Sequence, residues 1–350
     1  MIIDRSRLPI KHMLTFGLLP SALKVAWYRL RGARIGKKVK LGLGAVILSK
    51  DIEIGDGTRM GMAANITCER LRIGKRADIN TFVVINAQEV SIGNDVTISE
   101  AALINPLISS TQSKFILHDR VHIFPFTVID TTRKVEIGEE SCVGIKSSIY
   151  THSSYKSQLD GYSVKFGEVT IGKGVWLSSH VFINQAVTIG DEAVIGTGTV
   201  VSRDIPAGML VASAPTRLVK SKEDYIEHHT DKEKFTMLAD IIDEFCQYLS
   251  DFAGFTCQRT DSDAQPNWSL ASRKNHHASK IELMSSCPES LDHCLSVILS
   301  VVPKDVRQKW DGEKRMWFSI GSGCCSEHLD DLGEELLEYF KRYGIYFARP

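Results

Sequence analysis

The chain has 350 residues, 43% of them hydrophobic, which is more than one compact core usually holds and points to two domains. Lys plus Arg equals Asp plus Glu at 42 each, so there is no global field to attract nucleic acid, and a polyanion partner is not indicated. The 8 cysteines are scattered with no Cys-x-x-Cys pair, unlike a zinc site or a disulfide framework, and read as reduced cytoplasmic thiols.

Residues 1–30 come first. Met13 to Tyr28 is apolar, but Pro20 interrupts it, Lys24 charges it, and it is too short to span a bilayer. It also lacks a signal-peptide cleavage pattern. The segment reads as a short helix or two capping the next domain, with a peripheral membrane contact as the alternative.

From residue 31 the sequence repeats with period six. Ile35, Leu41, Ile47, Ile54, Met60, Ile66, Ile73, Ile79, Ile85, Ile92, Ile98 and Ile104 are all aliphatic or Met, and the series resumes at Leu117, Ile123, Ile129, Ile137, Val143 and Ile149. After a longer break it closes with Ile171, Leu177, Ile183, Ile189, Ile195 and Val201. Six fits neither one helix face nor a long alternating strand. It fits a coil of three short flat faces, each sending one aliphatic side chain to the axis, with Gly36, Gly55, Gly74, Gly93, Gly138, Gly172, Gly190 and Gly196 expected to relax the backbone at the corners. A parallel sheet with helical crossovers would need a dozen or more residues between strands, and these are lacking.

The runs IGDGTRMG, IGKRADIN, IGNDVTIS, IGEESCVG, IGKGVWLSSHVFINQAVTIGDEAVIGTGTVVSRDIPAG and SAPTRLVK carry a resemblance. The stretch from Ile35 to Lys220 resembles the hexapeptide-repeat acyltransferases, in particular sugar O-acetyltransferases of the galactoside and maltose type, most strongly after Val135. The resemblance implies a left-handed parallel β-helix over residues 31–220 and a homotrimer with active sites between subunits. It also implies acetyl-CoA as donor and a sugar or glycan acceptor, as in polysaccharide biosynthesis, with no metal.

The repeat breaks between Ile149 and Val169, where a loop leaves the scaffold with a histidine at its start. Transfer of an acetyl group to a hydroxyl requires removal of its proton, and a neutral imidazole, titrating near pH ~6.5 when unperturbed, suits that task. His152 is therefore the candidate general base, and Thr151-His152-Ser153 occupies the place of the family's Thr-Gly-His-Pro segment. By the same resemblance, Trp176 lines the pantetheine groove, a backbone N–H near Ser179 faces the thioester oxygen, Thr197 touches pantetheine, and Arg203 and Arg217 lie near the adenosine phosphates. Some members carry an Asn one coil before the base, but His122 to Thr127 has none, so the acceptor pocket differs. Ser178 replaces the usual Gly, and Ser213-Ala-Pro-Thr-Arg217 departs from the family pattern.

Other readings are N-acetylation of an amino sugar or nucleotide sugar, a non-catalytic scaffold, and a zinc-dependent carbonic anhydrase using His118, His122 and His180. The last is disfavoured because His118 and His122 lie within one short hexad, between the axial residues Leu117 and Ile123 of successive faces, and so do not share one strand face.

Residues 221–350 read as a small α/β domain of unknown role, open to acceptor recognition, carrier binding or trimer packing. Its expected elements are a helix over 231–252, a polar linker over 259–275, a strand over 280–284 and a helix over 291–301. A strand over 315–320, a helix over 329–343 stopped by Gly344, and a strand over 345–347 follow. There is no nucleotide fingerprint, and neither His276-His277 nor Cys324-Cys325 has chelating spacing.

Overall fold

The fold was established as a computed structural model describing residues 9–106, 112–153, 165–212, 216–221, 224, 229–262, 265–272, 278–288, 295–300, 302–313, 315–340, 343 and 345–349. The chain divides into two compact units, Met1–Ile226 and Glu227–Pro350.

The first unit is mainly β. Its short strands are dealt in turn to three sheets, so that every third strand pairs in parallel with the one before it in the same sheet. On the first face Ile35, Ile54, Ile73, Ile92, Leu117, Ile137, Ile171 and Ile189 stand in register. The second face aligns Leu41, Met60, Ile79, Ile98, Ile123, Val143, Leu177 and Ile195. Ile47, Ile66, Ile85, Ile104, Ile129, Ile149, Ile183 and Val201 form the third. All of these side chains are buried in one continuous cluster, which is what the six-residue period encodes. Full burial is worth roughly 1.5 to 3 kcal/mol for each, so the column stabilises coils that could not stand alone.

The repeated glycines serve a purpose other than the expected one. Gly55 and Gly138 do not adopt positive φ; a Cβ on Gly55 would lie 2.6 Å from the carbonyl carbon of Gly74, and one on Gly138 would lie 2.5 Å from that of Gly172. Close stacking of backbone on backbone, and not relaxation of a corner, excludes side chains there. Positive φ falls two residues later, on Lys38, Arg76, Asp95 and Glu140 among others.

One end of the coil is covered by α2 (Ser21–Leu30); α1 (Ile10–Leu14), which buries none of its residues, precedes it, with Pro20 between the two. Val25 and Tyr28 of α2 join the coil's own core, and the Tyr28 hydroxyl donates to Ile47 O at 3.0 Å and accepts from Ile47 N at 2.8 Å. Lys24 is fully buried and donates to the carbonyls of Gly17 and Gly42 at 3.1 and 2.5 Å, which gives its ammonium partners in place of water. No helix among the described residues is long and apolar enough to cross a membrane.

The second unit holds a six-stranded sheet running in chain order from Phe255–Ser262 to Cys324–Cys325, with α3 (Asp231–Tyr248), α4 (Lys304–Gly312) and α5 (Asp331–Phe340). A capping box opens α3: Thr230 Oγ1 accepts from Glu233 N while the Glu233 carboxylate accepts from Thr230 N. Three expectations fail here. The polar stretch expected to be a linker is an antiparallel hairpin, Phe255–Ser262 with Gln265–Ser272. Leu295–Ile298 is a strand, not helix, flanked in parallel by Ala278–Met284 and Met316–Ser319 and buried at every position. Ile345 to Phe347 forms no strand; only an isolated bridge joins Cys324 to Ala348. His276, His277 and Gly344 lie outside the described residues.

Candidate functional site

The candidate site begins where the third face ends. The strand Ser148–Ile149 leads into Thr151, which is wholly buried, and then into His152, whose side chain keeps 10% of its exposure. His152–Ser153 pairs antiparallel with Lys165–Phe166, which ties together the base of the loop whose residues 154–164 lie outside the described residues. Gly167 N also donates to Thr151 O at 2.9 Å. On one side the imidazole stacks against Phe166, centroids 6.0 Å apart and planes at 18°. The guanidinium of Arg133 in turn lies 4.6 Å over the Phe166 ring.

One coil earlier, immediately after Ile129, stands Asp130, only 1% exposed. Its Oδ2 accepts from His152 Nδ1 at 2.6 Å, and Oδ2 also accepts from Thr151 N and Thr151 Oγ1 at 3.0 and 2.9 Å. Its Oδ1 accepts from Thr132 N and Thr132 Oγ1 at 2.9 and 2.6 Å. Burial pushes the Asp130 carboxyl up, but the bonds from Thr132, His152 and the Thr132 and Thr151 backbone outweigh it and hold it below its ordinary 3.8. An ionised carboxylate accepts only, so Nδ1 carries the shared proton and Nε2 is the nitrogen left for chemistry.

The sequence does not single out Asp130: the stretch compared one coil before the base, His122 to Thr127, stops short of it and bears on an acceptor-contacting Asn, not on a partner for His152. Asp130 follows Ile129 as Tyr150 follows Ile149, so it lies level with Tyr150, two residues before His152, a neighbourhood that the register between coils discloses.

The expected donor-site residues lie elsewhere on the coil. Trp176 is on the second face, between Cys142 and Val194 in register, and is 56% exposed. Ser179 is half-buried at the corner that follows, and its carbonyl accepts from Gly198 N at 3.0 Å, which stacks exposed Thr197 beside it one coil later. Arg203 is exposed and donates to Thr216 O at 3.0 Å. Arg217 pairs with Ala212 in the terminal antiparallel strand, and its side chain lies outside the described residues. Ser179 and Thr197 thus precede the third-face strands, whereas Asp130 and His152 follow them. The whole width of a face separates the two groups within one chain, on the order of 15 Å for a handful of extended residues at ~3.3 Å each.

The imidazoles considered for zinc are spread out. His118 Nε2 bonds to Glu136 at 2.9 Å, His122 lies on a second-face strand, and His180 occupies an exposed corner at φ 58°. Among the described residues no group of three His, Cys, Asp or Glu side chains converges.

No protein-family model matches the chain. The galactoside O-acetyltransferase of Escherichia coli K12 is 33% identical over 112 residues, 31% of this chain and 55% of that protein. A Bacillus subtilis protein, YvoF, provisionally named an acetyltransferase, is 31% identical over 94 residues, 27% of this chain and 52% of its own. The chain therefore spans about half the length of the curated relatives it matches. Among solved structures, the polySia-specific acetyltransferase NeuO aligns at 19% identity and a TM-score of 0.39 over 57% of this chain and 83% of its own. Over about a third of its length the chain is thus similar in sequence to a galactoside O-acetyltransferase and to proteins provisionally named acetyltransferases.

Proposed function

We propose that this chain is an acetyl-CoA-dependent O-acetyltransferase that modifies a hydroxyl of a sugar in a polysaccharide or glycan, on a coil that winds left-handed. The observation that carries this reading is the 2.6 Å bond between His152 Nδ1 and the buried carboxylate of Asp130 at the start of the one loop expected to hold the base. The relation to a galactoside O-acetyltransferase supports the choice of a sugar hydroxyl.

In this mechanism the acceptor hydroxyl gives its proton to His152 Nε2 as its oxygen attacks the thioester carbonyl. The negative charge that develops on the carbonyl oxygen is met by a backbone N–H near Ser179. Collapse breaks the carbon–sulfur bond, the imidazolium returns its proton to the leaving thiolate, and an acetyl ester and free CoA result. Asp130 is a positioning residue: it fixes the tautomer and stabilises the transient imidazolium. Trp176 and Thr197 contact the pantetheine arm, and Arg203 and Arg217 face the adenosine phosphates of the donor.

Because one chain holds His152 and Ser179 on opposite sides of a face, the site is completed by a second copy, in a homotrimer. Outward apolar residues on the third face, Leu103, Val128 and Phe182 at 40%, 36% and 41% exposure, with the small Ser148 between the last two in register, support such packing. The free thiols of Cys68, Cys142 and Cys246 support a cytoplasmic setting.

The test is to incubate the full chain with acetyl-CoA and a panel of sugars, nucleotide sugars and glycan fragments, following free CoA with the His152→Ala variant alongside. Acceptor-dependent release that vanishes in the variant, with acetyl-CoA binding retained, is expected. Release only with amino-sugar acceptors would replace the hydroxyl with an amine, and the absence of both turnover and acetyl-CoA binding would overturn the reading.

A further inference from the structure

A surface helix ordinarily turns its apolar stripe inward, yet α2 has two. Lys24, Val25 and Tyr28 face the end of the coil and are buried. Leu23, Trp27 and Leu30, at i, i+4 and i+7, make a second stripe on the outer side, 56%, 39% and 87% exposed. Helix α1 adds Ile10 and Leu14 at 57% and 65%, and the turn between the helices adds Leu18 at 54%. This is an unusual density of exposed large aliphatic side chains in one short stretch.

The charge carried by this segment itself has one sign, although Arg34 pairs with Glu53 and Lys37 N donates to Asp56 of the next coil. Residues 9–50 contain nine Lys or Arg and no Asp or Glu, in a chain whose overall charge is balanced. Lys11, Arg29, Arg31, Lys37, Lys38 and Lys40 are exposed. Arg31 lies 4.7 Å over the Trp27 ring, so cation and apolar body stand side by side.

We propose that this cap docks on an anionic lipid bilayer, the aliphatic stripe entering the interface while the cations meet the headgroups. Charge complementarity selects this occupant: a second copy meeting the patch face to face would bring like charges together. The inference does not rest on the proposed catalysis. It places the cap, and the coil it covers, at the membrane surface.

Sedimentation of the full chain with phosphatidylcholine vesicles, and with vesicles containing about 30% phosphatidylglycerol, tests it. Apparent affinity should rise at least ~10-fold with the anionic lipid and fall as salt is raised to about 0.5 M. The Leu23→Glu/Leu30→Glu variant should lose at least ~10-fold in binding to anionic vesicles with its melting curve and oligomeric state unchanged. Lys37→Glu/Lys38→Glu, which leaves the apolar stripe intact, should also weaken binding and serves if the first variant does not fold. The proposal is overturned if the wild-type chain ignores anionic vesicles, or if folded variants of both kinds bind as it does. A leucine variant that changes oligomeric state and leaves vesicle binding intact would assign the stripe to a second copy and overturn it too.

Discussion

Replacing Asp130 with Asn keeps its size while removing the charge and converting one oxygen into a donor. The carboxylate accepts from Thr132 N, Thr132 Oγ1, Thr151 N, Thr151 Oγ1 and His152 Nδ1, at distances between 2.6 and 3.0 Å. If the amide nitrogen takes the Oδ2 position it opposes Thr151 N–H and forces the Nδ1 proton off His152. At the Oδ1 position it opposes Thr132 N–H. Either way a buried N–H loses its acceptor, which costs about 1–3 kcal/mol. Adoption of the first orientation moves the imidazole proton to Nε2, the nitrogen that has to accept one. We expect kcat to fall by roughly 10²–10⁴, equivalent to about 3–5 kcal/mol of barrier, while KM for acetyl-CoA stays within a factor of about three. CoA release under saturating acetyl-CoA, at a temperature where both proteins are folded by circular dichroism, measures this. A kcat within about threefold of wild type would refute the positioning role.

Other outcomes follow from the same geometry. The Asp130 carboxyl is held below its ordinary 3.8, so its stabilising contribution is complete above that value and disappears as pH falls through the lower folded-state one; the gap in melting temperature between wild type and Asp130→Asn should narrow on acidification below about pH 4. A gap independent of pH would mean that the charge contributes nothing. Gly138→Ala should destabilise the coil by at least ~1–3 kcal/mol in denaturant titration, because the added Cβ would lie 2.5 Å from the Gly172 carbonyl carbon. Unchanged stability there would contradict the stacking account. Trp176→Ala should raise KM for acetyl-CoA several-fold with little change in melting, since the ring is 56% exposed and contributes little to the core; unaltered KM would remove Trp176 from the donor groove.

The coil was legible because its period is enforced by a single physical requirement, an aliphatic residue at the axis once per face, and every position picked out by that period is buried. The break that begins at His152 was legible because the same regularity makes a departure from it visible. Asp130 was not, since its partnership depends on stacking between coils, which spacing along the chain does not display until register is known. In the second unit, Leu295–Ile298 is buried on both faces and so lacks the alternation that would mark a strand. The polar hairpin of Phe255–Ser262 and Gln265–Ser272 carries few aliphatic residues, which hid its pairing. The stacked glycines were found, but their reason lies in the distance to the next coil and could not be read from one.

The central claim is an acetyl-transfer site shared between copies, with His152 and Asp130 from one chain and the corner of Ser179 and Thr197 from another. Co-expressing His152→Ala with Thr197→Trp under two different affinity tags, and purifying trimers that carry both, tests it directly. Each variant alone should be inactive. A mixed cyclic trimer should regain one intact site in three, about a third of wild-type CoA release. Mixed trimers as inactive as either parent, or full activity of Thr197→Trp on its own, would contradict the account.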